Sequence, residues 1–209
     1  MKKNAALAIE AFALLRTKPS MQQLPRTMRL VLAGKVLLAL LADVPADSFL
    51  GGYDPRLEDT IRTLSGLVEH ARSHSLSFNV ITSPNAKMTA SLFTGATKNE
   101  PDVLFLLNFT TQQRSALFRS GSTLALLYTP ENEHFGIGPV EGMICGLPVL
   151  ACDSGCPTES IVDQPPEKIT GWLRSPVPDV WADALEEIYL LDASERGSLA
   201  QNRYLEWRR

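Results

Sequence analysis

Strand-like and helix-like stretches alternate along most of this chain, and that alternation limits its fold more than any other feature. Apolar runs such as MRLVLAG, DVLFLL and STLALLYTP are continuously hydrophobic, as strands covered on both faces are. Amphipathic patterns at helical spacing lie between them, for example at residues 4–16 and 57–74. Strands also fit LSFNVITS, LPVLACD and ITGWLR; helices also fit 111–121, 157–162, 178–191 and 194–208, and 85–99 reads as a loop. The pattern predicts an α/β fold, a parallel sheet with helices on both faces, in one domain spanning 1–209.

Composition removes several classes of protein. The net charge is -3 and no basic run is present, so nucleic acid is not an expected partner. Three cysteines form neither a disulfide framework nor a zinc pattern, which favours reduced thiols and a cytosolic setting. The apolar stretch LVLAGKVLLALLADV is interrupted by Lys35 and is shorter than the roughly 20 residues of a membrane-spanning helix. The first residues read as an amphipathic helix rather than a signal peptide.

The stretch NEHFGIGPVEGMICGLPVLACDSG carries the chemistry. It directly follows an apolar strand, and ligands of doubly wound sheets bind where strands end and helices begin. Pro139 suits a first helical turn and Gly146 a helix exit, so a helix over 139–145 would turn its free amides toward a phosphate. Glu133 could then accept hydrogen bonds from sugar hydroxyls, and Glu141 from a ribose. From the residues alone, helix capping and ordinary glycine punctuation explain the pattern equally well.

The text E-H-F-G-I-x-P-x-E-x-M, followed by G-L-P-V-L-A-x-D-S-G, resembles the donor-site signature of retaining GT-B glycosyltransferases. The wider context LYTPENEHFGIGPVEGM…SGCPTESI, with RLVLAG…GYDPRLEDT before it, resembles the branch that transfers mannose in α-1,3 and α-1,6 linkage to dolichol-linked oligosaccharide. The resemblance implies a Rossmann-like C-terminal half of a GT-B fold and GDP-mannose as donor. It also implies a setting on the cytosolic face of the endoplasmic reticulum, compatible with peripheral membrane association.

Roles for individual residues follow from the resemblance. Glu133 would contact the mannose hydroxyls, Glu141 would bind the ribose of GDP, and Lys3 would stabilise the departing diphosphate, with Lys2 as the alternative. From the residues alone, a solvated terminal pair is the better interpretation of both lysines, and a plain helix cap fits Thr158 as well as a pocket contact does. The implied catalytic residues are Glu133 and Lys3; the remaining donor contacts are His134, Phe135, Gly136, Ile137, Glu141, Lys2, Gly155 and Thr158.

The chain also departs from the family. An arginine expected a few residues before Lys2 and the acceptor-binding N-terminal domain are not present, which predicts a truncated gene model or an excised domain. The family text reads continuously if residues 35–51 are omitted. These residues are therefore predicted to be an insertion, such as a retained intron, that extends the preceding strand or forms an exposed apolar loop.

Other residues fit plainer interpretations. His70 and His74 stand four apart on a helix, as zinc ligands can, but solvent-exposed histidines are the simpler explanation. Arg114 reads as a surface charge near the crevice, and Trp172, Trp181 and Trp207 read as packing residues. No acidic cluster resembles the metal site of the other major transferase fold, so no metal or cofactor is expected.

Two alternatives remain beside a mannosyltransferase. One is a non-catalytic nucleotide-binding or truncated fragment, because the acceptor half and the arginine are missing. The other is a different GT-B glycosyltransferase.

Overall fold

A computed structural model describes residues 4–22, 28–33, 37–42, 57–81, 100–107 and 111–206, with the backbone alone for 37–42 and 203–206. The described helices are α1 (Ala5–Thr17), α2 (Pro19–Gln22), α3 (Glu58–Ser73), α4 (Thr111–Arg119), α5 (Gly138–Ile144), α6 (Pro157–Ser160), α7 (Pro178–Leu190) and α8 (Ala193–Glu206). The described strands are β1 (Met28–Ala33), β2 (Leu37–Ala42), β3 (Phe78–Ile81), β4 (Val103–Leu106), β5 (Thr123–Tyr128), β6 (Val149–Cys152) and β7 (Trp172–Arg174). The strands and helices predicted from the apolar patterns are confirmed; the loop predicted at 85–99 lies outside the described residues.

The described strands form one sheet in the order β3-β4-β1-β2-β5-β6-β7. β3, β4 and β1 pair in parallel on one side, and β5, β6 and β7 pair in parallel on the other. β2 joins the two groups and is antiparallel to both of its neighbours. The predicted α/β sheet with helices on both faces is therefore confirmed, with one strand running against the rest.

Of the segment predicted to be an insertion, the structure describes residues 37–42, which form the strand β2. The expected extension of β1 or loop was wrong for these residues, whereas the insertion itself stays a prediction. β2 pairs antiparallel with β1 on one edge and with β5 on its other edge. A strand in this position satisfies the backbone groups of two edges at once, which an exposed loop would not do. In the classic doubly wound order 3-2-1-4-5-6, all strands run parallel and strand 1 lies directly beside strand 4. Here β2 separates β1 from β5 by two strand spacings, roughly 10 Å.

Alternating residues of the strands supply two hydrophobic cores, one on each face of the sheet. Leu30 and Leu32 of β1 point to the face covered by α1, α3 and α7, whereas Val31 and Ala33 point to the face covered by α4 and α5. The sheet is thus buried on both sides, which explains why its strands read as continuous apolar runs. Trp172 and Trp181 are buried in the first core, as predicted, while Trp207 lies outside the described residues.

Two polar contacts anchor α1 to the rest of the fold. Lys18, just after α1, lies 2.5 Å from Asp183 and 2.8 Å from Glu186, both on α7. At the other end of α1, Asn4 Nδ2 donates to Glu131 Oε1 over 2.8 Å. Because Glu131 lies in the loop that follows β5, the start of α1 is held beside the candidate site.

Candidate functional site

The motif singled out from the sequence lies at the carboxyl end of β5. β5 ends at Tyr128, residues 129–137 form a loop, and α5 begins at Gly138. β5 and β6 are parallel, so the loop after β6 lies along the same edge of the sheet. This edge is where doubly wound sheets bind their ligands.

Glu133 is turned inward from this loop. Its side chain is 92% covered by protein, since the residue retains only 8% exposure. The hydroxyl of Tyr128 donates to Glu133 Oε2 over 2.5 Å. Burial, and then the hydrogen bond to Glu133, raise the pKa of Tyr128 well above its ordinary value of 10.0, so the phenol stays protonated and remains a donor. The pair holds the carboxylate in one orientation at the base of the loop.

Glycines let the loop lie directly on the Tyr128 ring. A Cβ atom on Gly136 would stand 1.9 Å from Tyr128 Oη, and one on Gly138 would stand 3.1 Å from Tyr128 Cε2. Any side chain at position 136 would therefore push the loop off the ring or displace the hydroxyl that holds Glu133. The glycines do more than punctuate a helix, because one of them is required by a close packing contact.

The loop after β6 packs against the backbone of Glu133. Gly155 adopts a φ of +69°, and a Cβ there would stand 2.4 Å from the Glu133 carbonyl oxygen. The amide of Cys156 donates to that same oxygen over 2.8 Å, and the amide of Asn132 donates to Ser154 Oγ over 3.1 Å. The predicted site residues Glu133 and Gly155 are thus brought into contact, and two loops form one rigid unit.

Glu141, in the first turn of α5, pairs with an arginine of another helix. Arg114 Nη2 on α4 donates to Glu141 Oε1 over 2.7 Å, and the two side chains are 33% and 26% exposed. The interpretation of Arg114 as a plain surface charge was therefore wrong. Its guanidinium orients the carboxylate and leaves Glu141 Oε2 on a partly open side chain, where it can meet a ligand hydroxyl.

The ends of α5 agree with the sequence. Pro139 lies in the first turn, and the helix begins one residue earlier than predicted. At the other end, Gly146 has a φ of +82°. The amide of Gly146 donates to the carbonyl of Met143, and the amide of Leu147 donates to the carbonyl of Gly142. This is a Schellman ending, so Gly146 closes the helix as predicted.

The remaining predicted site residues differ in exposure. Phe135 and Ile137 are 84% and 58% exposed, and His134 is exposed as well, so these side chains do not pack in the core. The Thr158 hydroxyl donates to the Gly155 carbonyl over 2.7 Å from inside α6, whose N-cap is Cys156, so the interpretation of Thr158 as a helix cap was wrong. Lys2 and Lys3, predicted to grip the diphosphate, lie outside the described residues.

Among the described residues, neither the cysteine thiols nor the motif side chains belong to a group with metal-ligand spacing. Cys145, Cys152 and Cys156 are free, and burial raises the pKa of Cys152 to about 12 and raises that of Cys156 as well. In the described part of the chain, one group has metal-ligand spacing: Glu10 on α1, His70 on α3 and His74 at the C-cap of α3. No helix in that part is long and apolar enough to cross a membrane.

Sequence reasoning missed Tyr128 and underrated Arg114. Tyr128 was read only as the end of an apolar strand, although a hydroxyl in such a position needs a partner when it is buried. Arg114 stands 27 residues before Glu141, and no local pattern links them.

Comparison with known proteins connects these observations to a family. Residues 1–205 match the family model described as glycosyl transferases group 1. The chain is 34% identical over 190 residues to the alpha-1,3/1,6-mannosyltransferase of Saccharomyces cerevisiae, covering 89% of this chain and 33% of that protein. It is 36% identical over 189 residues to the alpha-1,3/1,6-mannosyltransferase of Neurospora crassa, covering 90% of this chain and 33% of that protein. The chain thus spans about a third of the length of these curated relatives.

A solved structure supports the fold. The model matches sucrose-phosphate synthase from Thermosynechococcus elongatus with a TM-score of 0.51 and 19% identity, covering 93% of this chain and 44% of that one. At this identity the match concerns the arrangement of strands and helices.

Proposed function

Because the chain belongs to the glycosyl transferases group 1 family, we propose that it forms the donor-binding part of a retaining mannosyltransferase that uses GDP-mannose. The acceptor in this proposal is a dolichol-linked oligosaccharide, extended in α-1,3 or α-1,6 linkage at the cytosolic face of the endoplasmic reticulum. The similarity to the two fungal mannosyltransferases over about nine-tenths of this chain supports the sugar.

The observation that carries the proposal is the placement of the two motif glutamates. Glu133 is buried against Tyr128 at the start of the loop, and Glu141 is held by Arg114 in the first turn of α5. Both follow the carboxyl end of β5, where a nucleotide sugar would lie across the loop. In this proposal Glu133 faces the mannose and Glu141 takes the ribose hydroxyls. The backbone of Phe135, Gly136 and Ile137 approaches the diphosphate between them.

In this proposal, lysine side chains rather than a metal ion stabilise the negative charge that develops on the diphosphate. Transfer with retention lets the acceptor hydroxyl attack from the face that the diphosphate leaves, and the leaving group accepts the proton. Lys3, with Lys2 as the alternative, would stabilise that negative charge, since fixed positive groups act most strongly on charge that forms in the transition state.

Calorimetric titration of the chain tests the donor proposal. We expect GDP-mannose to bind saturably and at least about tenfold more tightly than UDP-N-acetylglucosamine. Glu141→Gln should weaken GDP-mannose binding about 10- to 100-fold, because a ribose hydroxyl loses its charged acceptor. Glu167→Gln is the matched control, since this exposed glutamate stands in the 3-10 turn Pro166–Lys168, away from the motif. A folded chain that binds neither nucleotide sugar, or both alike, would contradict the proposal.

A second candidate function is a non-catalytic nucleotide-binding chain. It is favoured by β2, which runs antiparallel in the middle of the sheet and separates β1 from β5 at the edge where the donor would bind. Under this alternative GDP-mannose would bind no better than GDP, whereas a mannose site built on Glu133 would make the sugar contribute to affinity. A parallel titration with GDP separates the two.

A further inference from the structure

We propose that Glu10, His70 and His74 form a binding site for a divalent transition-metal ion of the zinc class, located between α1 and α3. One carboxylate oxygen and one nitrogen from each imidazole all lie within 4.8 Å of one another. The two histidines come from the last turn and the C-cap of α3 and the glutamate from α1, so an ion bound there would link the two helices. None of the three residues belongs to the candidate donor site.

Helix geometry presents the two histidines together. His70 lies in the last turn of α3 and His74, four residues later, is the residue that caps its end; the amide of His74 donates to the carbonyl of His70 over 3.3 Å, so the two stand one above the other as helical i and i+4 residues do. Their ring centroids are 4.9 Å apart, with the ring planes inclined by 73°. The rings are therefore neighbours that do not stack, an arrangement that lets one nitrogen of each meet a common point.

The contact between His70 and Glu10 points to a shared cation. His70 Nε2 lies 2.8 Å from Glu10 Oε1 and is buried, but it makes no hydrogen bond of acceptable geometry to any described residue. A metal ion satisfies such a pair without that alignment, because each ligand atom offers a lone pair to the ion. Bonds of about 2.0–2.2 Å place neighbouring ligand atoms of a tetrahedral site roughly 3.3 Å apart, so rotamer adjustments of about 1 Å complete the triad.

The ligand set selects the metal. Two imidazoles and one carboxylate suit zinc, copper or nickel, whereas magnesium and calcium prefer oxygen ligands alone. Three protein ligands leave at least one position to water. His74 is exposed and the other two are half-buried, so an ion can reach the site from solvent.

Titration with Zn²⁺ and with Co²⁺, whose visible absorption reports coordination geometry, tests the site. We expect one equivalent to bind with micromolar affinity or better. His74→Ala should weaken binding at least about tenfold without unfolding the chain, because that side chain is exposed. His70→Ala and Glu10→Gln should weaken it as well. At a hundred times the dissociation constant, the ion should raise the unfolding temperature by about 5–10 °C.

The third histidine of the chain supplies the control. His134 lies in the motif loop, so His134→Asn should bind metal like the wild type if the site is the one proposed. Binding only at millimolar concentration would overturn the proposal. So would equal affinity of the wild type and His74→Ala, or loss of binding in His134→Asn alone.

Discussion

Adding one methyl group at Gly136 should disrupt the candidate site more than its size suggests. The new Cβ would stand 1.9 Å from Tyr128 Oη and 2.8 Å from Tyr128 Cζ, and Tyr128 is buried with 1% exposure. The φ of Gly136 is outside the left-handed region, so alanine meets a steric obstacle there and no backbone penalty. Either the loop rises from the ring or the phenol moves away from Glu133.

The size of the effect follows from this overlap. An ordinary contact needs about 3.4 Å, so the hydroxyl or the loop must give way by about 1.5 Å. Overpacking of this kind costs about 1–3 kcal/mol of unfolding free energy. With a urea m-value of about 2 kcal/mol/M, the unfolding midpoint should fall by about 0.5–1.5 M. Donor affinity should fall as well, because Glu133 and the loop backbone shift together.

Removing the hydroxyl tests whether Tyr128 is the obstacle. Tyr128→Phe alone should cost about 1–3 kcal/mol, since buried Glu133 loses this donor. In the double variant the nearest ring atom to the new methyl is Cζ at 2.8 Å instead of Oη at 1.9 Å. The double variant should therefore be less destabilised than the sum of the two single changes, by at least about 0.5 kcal/mol.

Gly121→Ala is the matched control, because a Cβ there has nothing within 4 Å and its φ is also outside the left-handed region. It should leave the midpoint unchanged. An unchanged midpoint in Gly136→Ala, or strict additivity with Tyr128→Phe, would refute the packing argument.

Three further changes probe contacts elsewhere in the fold. Arg114→Met should weaken GDP-mannose binding about 3- to 30-fold, because Glu141 loses its positively charged partner. Arg114→Lys should keep part of the affinity, because lysine retains the charge but not the planar fork. Unchanged affinity in calorimetry would remove Arg114 from the site. Hydrogen bonds from Lys18 and then from Ser20 lower the pKa of Glu186, so its contribution to stability is present above the ordinary value of 4.5 and is lost as pH falls through the lowered pKa. The gap in urea midpoint between wild type and Glu186→Gln should accordingly be constant around neutral pH and shrink in acid; a gap that widens in acid would contradict this sign. Arg196 donates to the carbonyls of Ile188 in the last turn of α7, of Leu191 just after it and of Leu124 in β5. Arg196→Met should therefore lower the unfolding free energy by about 1–3 kcal/mol, and a loss below about 0.3 kcal/mol would count against that role.

Local patterns predicted the elements and much of the site's position. Apolar runs became strands because both faces of the sheet are covered, and amphipathic stretches became helices because one side of each meets the core. The ending of α5 at Gly146 was equally predictable, since the left-handed conformation of that residue and the following Pro148 are local effects. These features depend on residues within a few positions of one another.

Contacts between distant residues were decided by the tertiary structure. The inward turn of Glu133, beside the exposed His134 and Phe135, depends on the hydroxyl of Tyr128 beneath the loop. The orientation of Glu141 depends on Arg114 from α4. Charge and hydrophobicity along the chain do not encode which partner a side chain finds, because that partner is set by how helices pack on the sheet.

Residues 37–42 show most clearly the difference between what the local sequence predicts and what the tertiary structure decides. Their apolar sequence was visible at once, but it was expected to extend β1 or to form an exposed loop. Which edge it would pair with, and in which direction, depended on the two parallel groups of strands that it joins. β2 is the next strand after β1 in the chain and pairs antiparallel with it, and β5 satisfies the backbone groups of its other edge. The hydrophobic pattern marked this segment as apolar, but only the surrounding sheet decided between which strands it pairs.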